Sequence, residues 1–538
     1  MVAVCSRSVR LSLMRPESDS QVTRFGHSVP GSGVAKTRPL LPVIFLAAAL
    51  FAGCNVGPRY HRPSVETPQA FKELTPEGAK QTAGWSTAQP KDFTSRGKWW
   101  ELFNDPQLNA LEEQASVSNQ TVAASLAAFF QARALVKQAR SQYYPTVSTS
   151  PGVTRQRQSL GGGASAGGRS STAVTFSTYS LPFDATWEPD LWGVVRNTVK
   201  ANVFEAQARI GDLQNVRLTQ LAELAVDYFE LRAQDAQKKI LDDTVRAFQD
   251  SLNLTQARFH TGIASDEDVA QAQTLLTTTQ AQDTDLDILR TQYEHAIAML
   301  IGQPASSFSF PRDPLIPNPI PIPFGLPSEL LERRPDVSAA ERRMAEANAQ
   351  IGVAKAAYYP TLNLSASGGF QGPRVQDMAS WPSLVWAVGA SLAETLFDAG
   401  KRAAVTEQAR ATYDQDVANY RQTVLTAFQE VEDNLASLRI LTRELEEQAA
   451  SVKASQHYLD LSTARYKLGI DSYLNVITAQ ATLLSNQRTL VNLQLQQMVA
   501  SVQLIKAVGG GWDASQLPEK VTAANPSGPQ PTPQGMAK

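Results

Sequence analysis

The sequence predicts a mainly α-helical chain that also lends strands to a transmembrane β-barrel, built from one helix–hairpin–long helical hairpin unit written twice. Three observations carry this. Two distant segments match without gaps. Two stretches of three-four apolar spacing run far beyond an ordinary globular helix, and period-two stretches precede them.

The duplication is the firmest of the three. Ala257, Arg258, Phe259, Gly262, Ile263 and Ser265 correspond to Ala464, Arg465, Tyr466, Gly469, Ile470 and Ser472. The match continues through Val269/Val476, Ala272/Ala479, Gln273/Gln480 and Leu276/Leu483, at a separation of 207 residues (469 minus 262). Upstream, Tyr143-Tyr144-Pro145-Thr146 recurs as Tyr358-Tyr359-Pro360-Thr361, 215 residues on (360 minus 145). The glycine-rich run 161–168 accounts for the eight-residue difference, as a flexible loop that the second copy lacks.

In chain order, residues 1–53 read as a signal region. Lys36 and Arg38 precede the apolar run from Leu40 to Ala52, which ends in Phe51-Ala52-Gly53-Cys54. A cysteine after Ala-Gly resembles the bacterial lipoprotein processing site, although Phe51 stands where leucine is usual. Cys54 is then the lipid attachment residue and the mature N-terminus. Asn55 follows it rather than the aspartate that often retains lipoproteins in the inner membrane, which favours the outer membrane. Residues 1 to about 33 are long and polar for an n-region, so translation is expected to start downstream, at Val34, leaving Cys5 outside the protein.

Residues 54–110 form the acylated N-terminal segment and an equatorial region, 111–302 the first repeat and 335–511 the second. In each repeat a helix ends at Tyr-Tyr-Pro, because proline cannot continue it. Two extended runs follow. In the second copy Leu362, Leu364, Ala366 and Phe370 alternate with small or polar residues, as do Leu384, Trp386, Val388, Ala390 and Leu392. In the first copy the run from Ala173 to Tyr179 pairs less clearly with the run after Pro145. A very long helix comes after Gly193 and again after Gly400. Leu221, Leu224, Tyr228, Leu231, Val245, Phe248 and Leu252 line its seam in the first copy, and Val424, Phe428, Val431, Leu435 and Leu438 in the second. From Val194 to Thr261 such a helix spans roughly 100 Å, and its composition makes it wet on two sides. It turns back at Gly262 or Gly469 into a returning helix whose first-copy seam is Leu286, Leu289, Tyr293 and Leu300. Residues 303–334 form a stiff, Pro-rich linker, and 512–538 read as a disordered tail.

Four strands per chain cannot close a barrel, and open sheet edges cannot face lipid. Single-chain outer-membrane barrels begin at about eight strands. Two copies reach that minimum and three give a wider pore of about twelve.

The family resemblance rests on landmarks distributed along the chain. Cys54-Asn55-Val56-Gly57-Pro58-Arg59-Tyr60, Trp99-Trp100-Glu101-Leu102-Phe103-Asn104-Asp105-Pro106-Gln107-Leu108-Asn109 and Leu326-Pro327-Ser328-Glu329-Leu330-Leu331-Glu332-Arg333-Arg334-Pro335-Asp336-Val337 resemble those of NodT-type, TolC-like outer-membrane efflux lipoproteins. With the Tyr-Tyr-Pro and Arg-aromatic-x-x-Gly sites, the resemblance covers residues 54 to about 512. It implies a homotrimer with a 12-stranded barrel, a 12-helix periplasmic tunnel and an equatorial belt. It further implies a passive outer-membrane channel of a tripartite pump that expels small toxic compounds. The implied partners are a periplasmic adaptor, an inner-membrane transporter of the resistance-nodulation-division class and outer-membrane lipid.

The turns at Gly262-Ile263 and Gly469-Ile470 have an ordinary explanation, since glycine alone adopts the left-handed cap cheaply. The resemblance adds a role: these tips form the tunnel mouth and meet the adaptor. Arg258 and Arg465 are expected to cap the last carbonyls of their own helices and to contact neighbouring ones. For the gate, Thr478 stands where many relatives carry an aspartate, with Gln271 equivalent in the first copy, so a simple ring of aspartates is not expected. Leu474 and Thr478 are candidate gate residues, as are Asp266, Glu267 and Asp268, although acidic residues in a first helical turn also serve the helix dipole.

No catalytic or metal site is expected. The five histidines are scattered, and no phosphate loop or nucleophile elbow occurs. The only expected added groups are the diacylglyceryl and acyl chains on Cys54. A net charge of -2 gives no footprint for nucleic acid. Two other functions fit less well. A type I protein-secretion duct shares the fold, but the lipid-modified cysteine and the Arg-Arg-Pro-Asp landmark favour efflux. A periplasmic coiled-coil adaptor lipoprotein would carry one helical hairpin, not two with strands of membrane length.

Overall fold

The computed structural model describes residues 55–64, 68, 71–74, 98–160, 172–314, 334–378 and 380–510. The signal region, Cys54, the glycine-rich run 161–168, most of the Pro-rich linker and the tail lie outside the described residues.

Local chemistry sets the helix ends. Helix α1 (Pro106–Ser118) starts with proline at its first turn, and the Asp105 carboxylate accepts from the Gln107 and Leu108 amides at 2.9 and 3.2 Å. Helix α2 (Gln120–Ser141) is capped by Asn119 and ends before Tyr143-Tyr144-Pro145. The long helices α3 (Val194–His260) and α6 (Lys401–Lys467) each have 67 residues, about 100 Å. Both follow a left-handed glycine, Gly193 at φ +87° and Gly400 at φ +89°. An aspartate upstream of each glycine, Asp190 or Asp398, takes amides of the first turn and pairs with Arg196 or Arg402. The returning helices α4 (Asp266–Leu300) and α7 (Tyr473–Ala507) each have 35 residues. Helix α5 (Pro335–Ala356) opens the second copy as α2 opens the first.

The helices form one continuous wall. Near the sheet α5 packs between α3 and α6, and further down α7 takes that place. On the other side of α3 lie α2 and then α4, so the wall ends in α2 and α4 at one edge and α6 at the other. Leu126 and Phe130 on α2, Leu289 and Met299 on α4, and Leu425 and Ile440 on α6 are exposed. Leu289 therefore departs from the expected seam within this chain. Its place is taken by Arg290, which is buried.

The sheet contains β1 (Thr146–Thr149), β2 (Gly152–Leu160), β3 (Thr172–Trp187), β4 (Thr361–Gly372) and β5 (Leu384–Ala393). All ladders are antiparallel, in the order β1 and β2, β3, β4, β5. The first copy's leading strand is thus broken in two at Ser150-Pro151, since proline has no N–H for the ladder. Its register is unchanged across the break, because β1 and β2 both pair with β3. Alternation holds for the apolar residues between Leu181 and Trp187 and along β4 and β5, whereas further out on β3 Val174 and Phe176 lie on the opposite face. Trp187, Ala185, Phe183 and Leu181 share one face with Leu364, Ala366 and Phe370, and with Leu384, Trp386, Val388 and Ala390. Asp184, Thr186, Asn363, Ser365, Ser367 and Ser391 occupy the other face. One face suits lipid and the other a watery lumen.

Two aromatic clasps join sheet to helices. Trp192 stacks on Tyr359 at 4.8 Å and donates its indole N–H to the Pro360 carbonyl at 2.7 Å. Trp187 donates to the Tyr143 carbonyl at 3.1 Å.

An N-terminal strap runs along the wall from the sheet end. Asn55 Oδ1 accepts from Asn197 Nδ2 at 2.9 Å, Tyr60 donates to Glu341 at 2.6 Å, and Arg62 donates to the Tyr420 hydroxyl at 3.1 Å. Lower down, the Lys72 and Glu73 amides donate to Glu432, and Arg439 pairs with Glu73 at 2.7 Å.

The main core sits at mid-height, where Trp99, Trp100, Phe103 and Leu108 pack on Leu224, Tyr228, Phe229 and Ile301. Here the expectation of a helix wet on two sides fails. Arg232, Asp235 and Arg290 are buried. Arg290 pairs with Asp235 at 2.8 Å and donates to the Phe310 carbonyl at 2.7 Å. Arg232 donates to the Pro311 carbonyl at 2.9 Å and to the Gln107 side chain, and lies 4.6 Å above the Phe310 ring. The Asp313 amide closes the clamp on Asp235 at 3.0 Å.

Glu112 on α1 is fully buried and neither carboxylate oxygen has a hydrogen-bond partner. Burial pushes its carboxyl well above the usual carboxylate range. Between the ordinary pKa and the raised one, the folded state binds the proton and the unfolded state does not. Stability contributed at Glu112 is therefore present at low pH and lost as pH rises through that window. Glu112→Gln should raise the melting temperature at pH 8 and leave it nearly unchanged at pH 4. A gain that is equal at both pH values would show that Glu112 does not titrate on unfolding.

Candidate functional site at the helical tips

The long helices end in matching turns. The Gly262 amide donates to the Phe259 carbonyl at 2.9 Å and the Ile263 amide to the Arg258 carbonyl at 2.8 Å. In the second copy the Gly469 amide donates to Tyr466 at 2.9 Å and the Ile470 amide to Arg465 at 3.0 Å. This six-to-one and five-to-two pattern needs a left-handed residue, and Gly262 and Gly469 have φ of +72° and +74°. Ile263 and Ile470 are 67% and 62% exposed, so the turns hold an apolar side chain outward at each tip.

Because backbone amides already satisfy these carbonyls, the arginines do not cap their own helices as expected. Arg258 instead crosses to the other copy. It donates to the Tyr466 carbonyl at 2.8 Å and lies 4.5 Å over the Tyr466 ring. Arg465 turns to its own loop and pairs with Asp471 at 3.2 Å. Asp471 also accepts from the Asn475 side chain and the Ser472 amide, and these bonds, with Arg465, hold its carboxyl below the usual range.

The two copies meet in a small core of Phe248, Leu252, Ala272 and Leu276 from the first copy with Tyr466, Tyr473 and Val476 from the second. Tyr466 and Tyr473 lie 5.2 Å apart, and burial raises the Tyr473 phenol. Gln480 donates to Ser251 across the copies at 3.0 Å. Sequence reading missed Tyr473, Ser251 and this use of Tyr466. Within the repeat, the tyrosine at 466 against Phe259 and that at 473 against Asp266 were the available signals of asymmetry.

Of the candidate gate residues, Asp268 forms a capping box with Ser265, each side chain bonded to the other's amide at 3.0 and 3.1 Å. Glu267 accepts from Gln271 at 3.2 Å, and Asp266 lies in the same first turn. Thr478 donates to the Leu474 carbonyl on its own helix at 2.9 Å, and the Leu474 side chain is exposed. Among the described residues, no hydrogen bond or ion pair joins Asp266, Glu267 or Asp268 to Leu474 or Thr478. The acidic turn instead sits beside Tyr473, whose phenol feels Asp268.

The duplicated wall, the sheet and the paired tips can be compared with known proteins. The sequence profile of the family described as Outer membrane efflux protein matches residues 111–303 and 326–510. The chain belongs to that family. It is 31% identical over 504 residues to the probable efflux pump outer membrane protein TtgC of Pseudomonas putida, covering 91% of this chain and all of that one. It is 32% identical over 429 residues to the pyoverdine export outer membrane protein OpmQ of Pseudomonas aeruginosa, covering 79% of this chain and 90% of that one. Among solved structures, the outer-membrane channel OprN superposes with a TM-score of 0.77 at 28% identity, over 85% of this chain and all of OprN. CusC superposes with a TM-score of 0.75 at 25% identity, over 85% of this chain and all of CusC. This chain is thus an outer-membrane efflux channel protein.

Proposed function

We propose that three copies of this chain close a twelve-stranded barrel and a twelve-helix periplasmic tunnel, which serves as the passive exit duct of a tripartite pump. The reading rests on one observation above all: sheet and helical wall both stop at open edges. The wall's edge helices α2, α4 and α6 carry exposed apolar side chains. Unpaired strand edges cannot remain open in lipid. Three copies supply twelve strands, enough for a pore. In mild detergent, light scattering should give the mass of three chains. A monodisperse folded monomer would overturn the assembly and the duct with it.

Energy comes from partners in this reading, and the tips are where they join. The small compounds expelled are not selected by this chain. Relatives of nearly equal identity carry names as different as toluene efflux, antibiotic efflux and pyoverdine export. A periplasmic adaptor on the tips and an inner-membrane transporter of the resistance-nodulation-division class would complete the pump.

Lipid on Cys54 anchors the strap. Asn55, the next residue, is bonded to Asn197, and the Val56 amide donates to the Trp192 carbonyl at 3.3 Å. The start of the strap lies beside the sheet end of α3, and this supports the anchor, since acyl chains on the preceding residue would enter the membrane near the sheet. Mass analysis of the mature N-terminus should find diacylglyceryl and acyl groups on Cys54. An unmodified cysteine, or a chain that starts elsewhere, would refute the anchor.

A further inference from the structure

The strands of the first copy reach further than those of the second. β3 pairs with β4 only from Tyr179 to Trp187, whereas β2 pairs with β3 from Ser180 out to Thr172. Residues 172–178 and their β2 partners therefore project past the end of β4, by about 23 Å at 3.3 Å per residue. On the apolar, lipid-facing side the row of Leu181, Phe370 and Leu384 is followed, two residues further out, by the pair Tyr179 and Val153, where the apolar run ends. Trp381, exposed in the connection between β4 and β5, belongs to the same end. Tyrosine and tryptophan at the end of such a band mark a membrane interface.

Next on that same face are two arginines. Arg155 pairs in register with Ser177 and Arg157 with Thr175, so both side chains follow Val153 on the lipid side at about 7 and 13 Å beyond it. Both are exposed, and neither forms an ion pair among the described residues. The sequence from 145 to 183 contains Arg155, Arg157 and Arg169 and no aspartate or glutamate. The positive charge is uncompensated locally, and it begins where the apolar band stops.

We propose that Arg155 and Arg157 bind the phosphate groups of an outer-leaflet glycolipid, whose acyl chains lie on the apolar face below. This rests on the membrane orientation of the proposed duct, with the strand hairpins outward. Guanidinium forks match phosphate oxygens, and the two positions two residues apart present both forks on one side of the strand. Three copies would set six such arginines around the rim of the barrel.

The test uses the full mature trimer in mild detergent. Native mass spectrometry would score retention of a bisphosphorylated outer-leaflet glycolipid against the same lipid stripped of phosphate. The wild type should prefer the phosphorylated form by about thirtyfold, each of the two arginines contributing about fivefold. Arg155→Gln with Arg157→Gln should lose that preference without lowering the melting temperature in detergent alone. Equal retention of both lipids by the wild type, or an undiminished preference in the double variant, would overturn the proposal. So would displacement of the lipid by inorganic phosphate at the same concentration, because that describes a free-anion site. A separate arm checks the orientation: Gln158→Cys should react with a membrane-impermeant maleimide on intact cells. No labelling would overturn the orientation and the lipid site together, whereas labelling without lipid preference would overturn the lipid site alone.

Discussion

Cells that carry Ile263→Asp together with Ile470→Asp should export pump substrates almost as poorly as cells that lack the channel, although trimers still form and insert. The two isoleucines are exposed at equivalent turns and contribute to none of the four core clusters. Their replacement therefore leaves folding nearly untouched. The capping bonds of these turns come from their backbone amides, which the substitution keeps, and exposed side-chain changes of this kind are usually within about 0.5 kcal/mol. In the proposed trimer six of these side chains ring the tunnel mouth. An apolar ring of that kind is a contact surface, where truncation of an anchor residue costs about 2 kcal/mol or more. An aspartate is worse than a truncation, because docking would desolvate its charge. Adaptor cross-linking and efflux should fall together. Unchanged efflux at normal expression would show that the tip is only a turn. Replacement of Gly469 itself is a poorer test, since any side chain there adds strain of about 1 kcal/mol at positive φ and mixes folding with docking.

The buried clamp around Arg232 should be the most sensitive single position for stability. Arg232→Ala removes a buried guanidinium that holds the Pro311 and Asp313 carbonyls and the Gln107 side chain. It leaves Asp235 buried with Arg290 as its remaining ion-pair partner and strips the cation from the faces of Tyr228 and Phe310. Breaking a buried pair from one side costs about 3–5 kcal/mol. A clear fall in melting temperature is expected, with proteolysis appearing first near residues 310–313. Arg232→Lys should rescue little, since one ammonium cannot reproduce the fork that serves three acceptors. If Arg232→Ala melts with the wild type, the clamp does not hold the linker.

Much of the architecture can be read from short-range chemistry. Gly193 to Gly262 and Gly400 to Gly469 have the same spacing, and both long helices occupy those intervals. Proline and glycine act on their own backbone, so their effects are visible without neighbours. Alternation in Leu362–Phe370 and Leu384–Leu392 likewise names the lipid-facing side, because period two is a property of the strand itself. The glycine turns at the tips were legible for the same reason, whereas the exposure of Ile263 and Ile470 is read only from the structure.

What escaped sequence reading is contact between parts far apart in the chain. Arg258 was expected to cap its own helix and to touch a neighbouring one, but which one was not legible: backbone amides fill the local carbonyls, and it bonds Tyr466, 208 residues away. Arg232 and Asp235 have the three-residue spacing of a solvated helix face, and only the packing of residues 310–313 over them makes that face interior. Leu289 has seam spacing but is exposed, on a helix at one edge of the wall. Periodicity specifies that a helix has an apolar side. Which neighbour covers that side, and which charges are enclosed with it, depends on how elements distant in sequence are brought together.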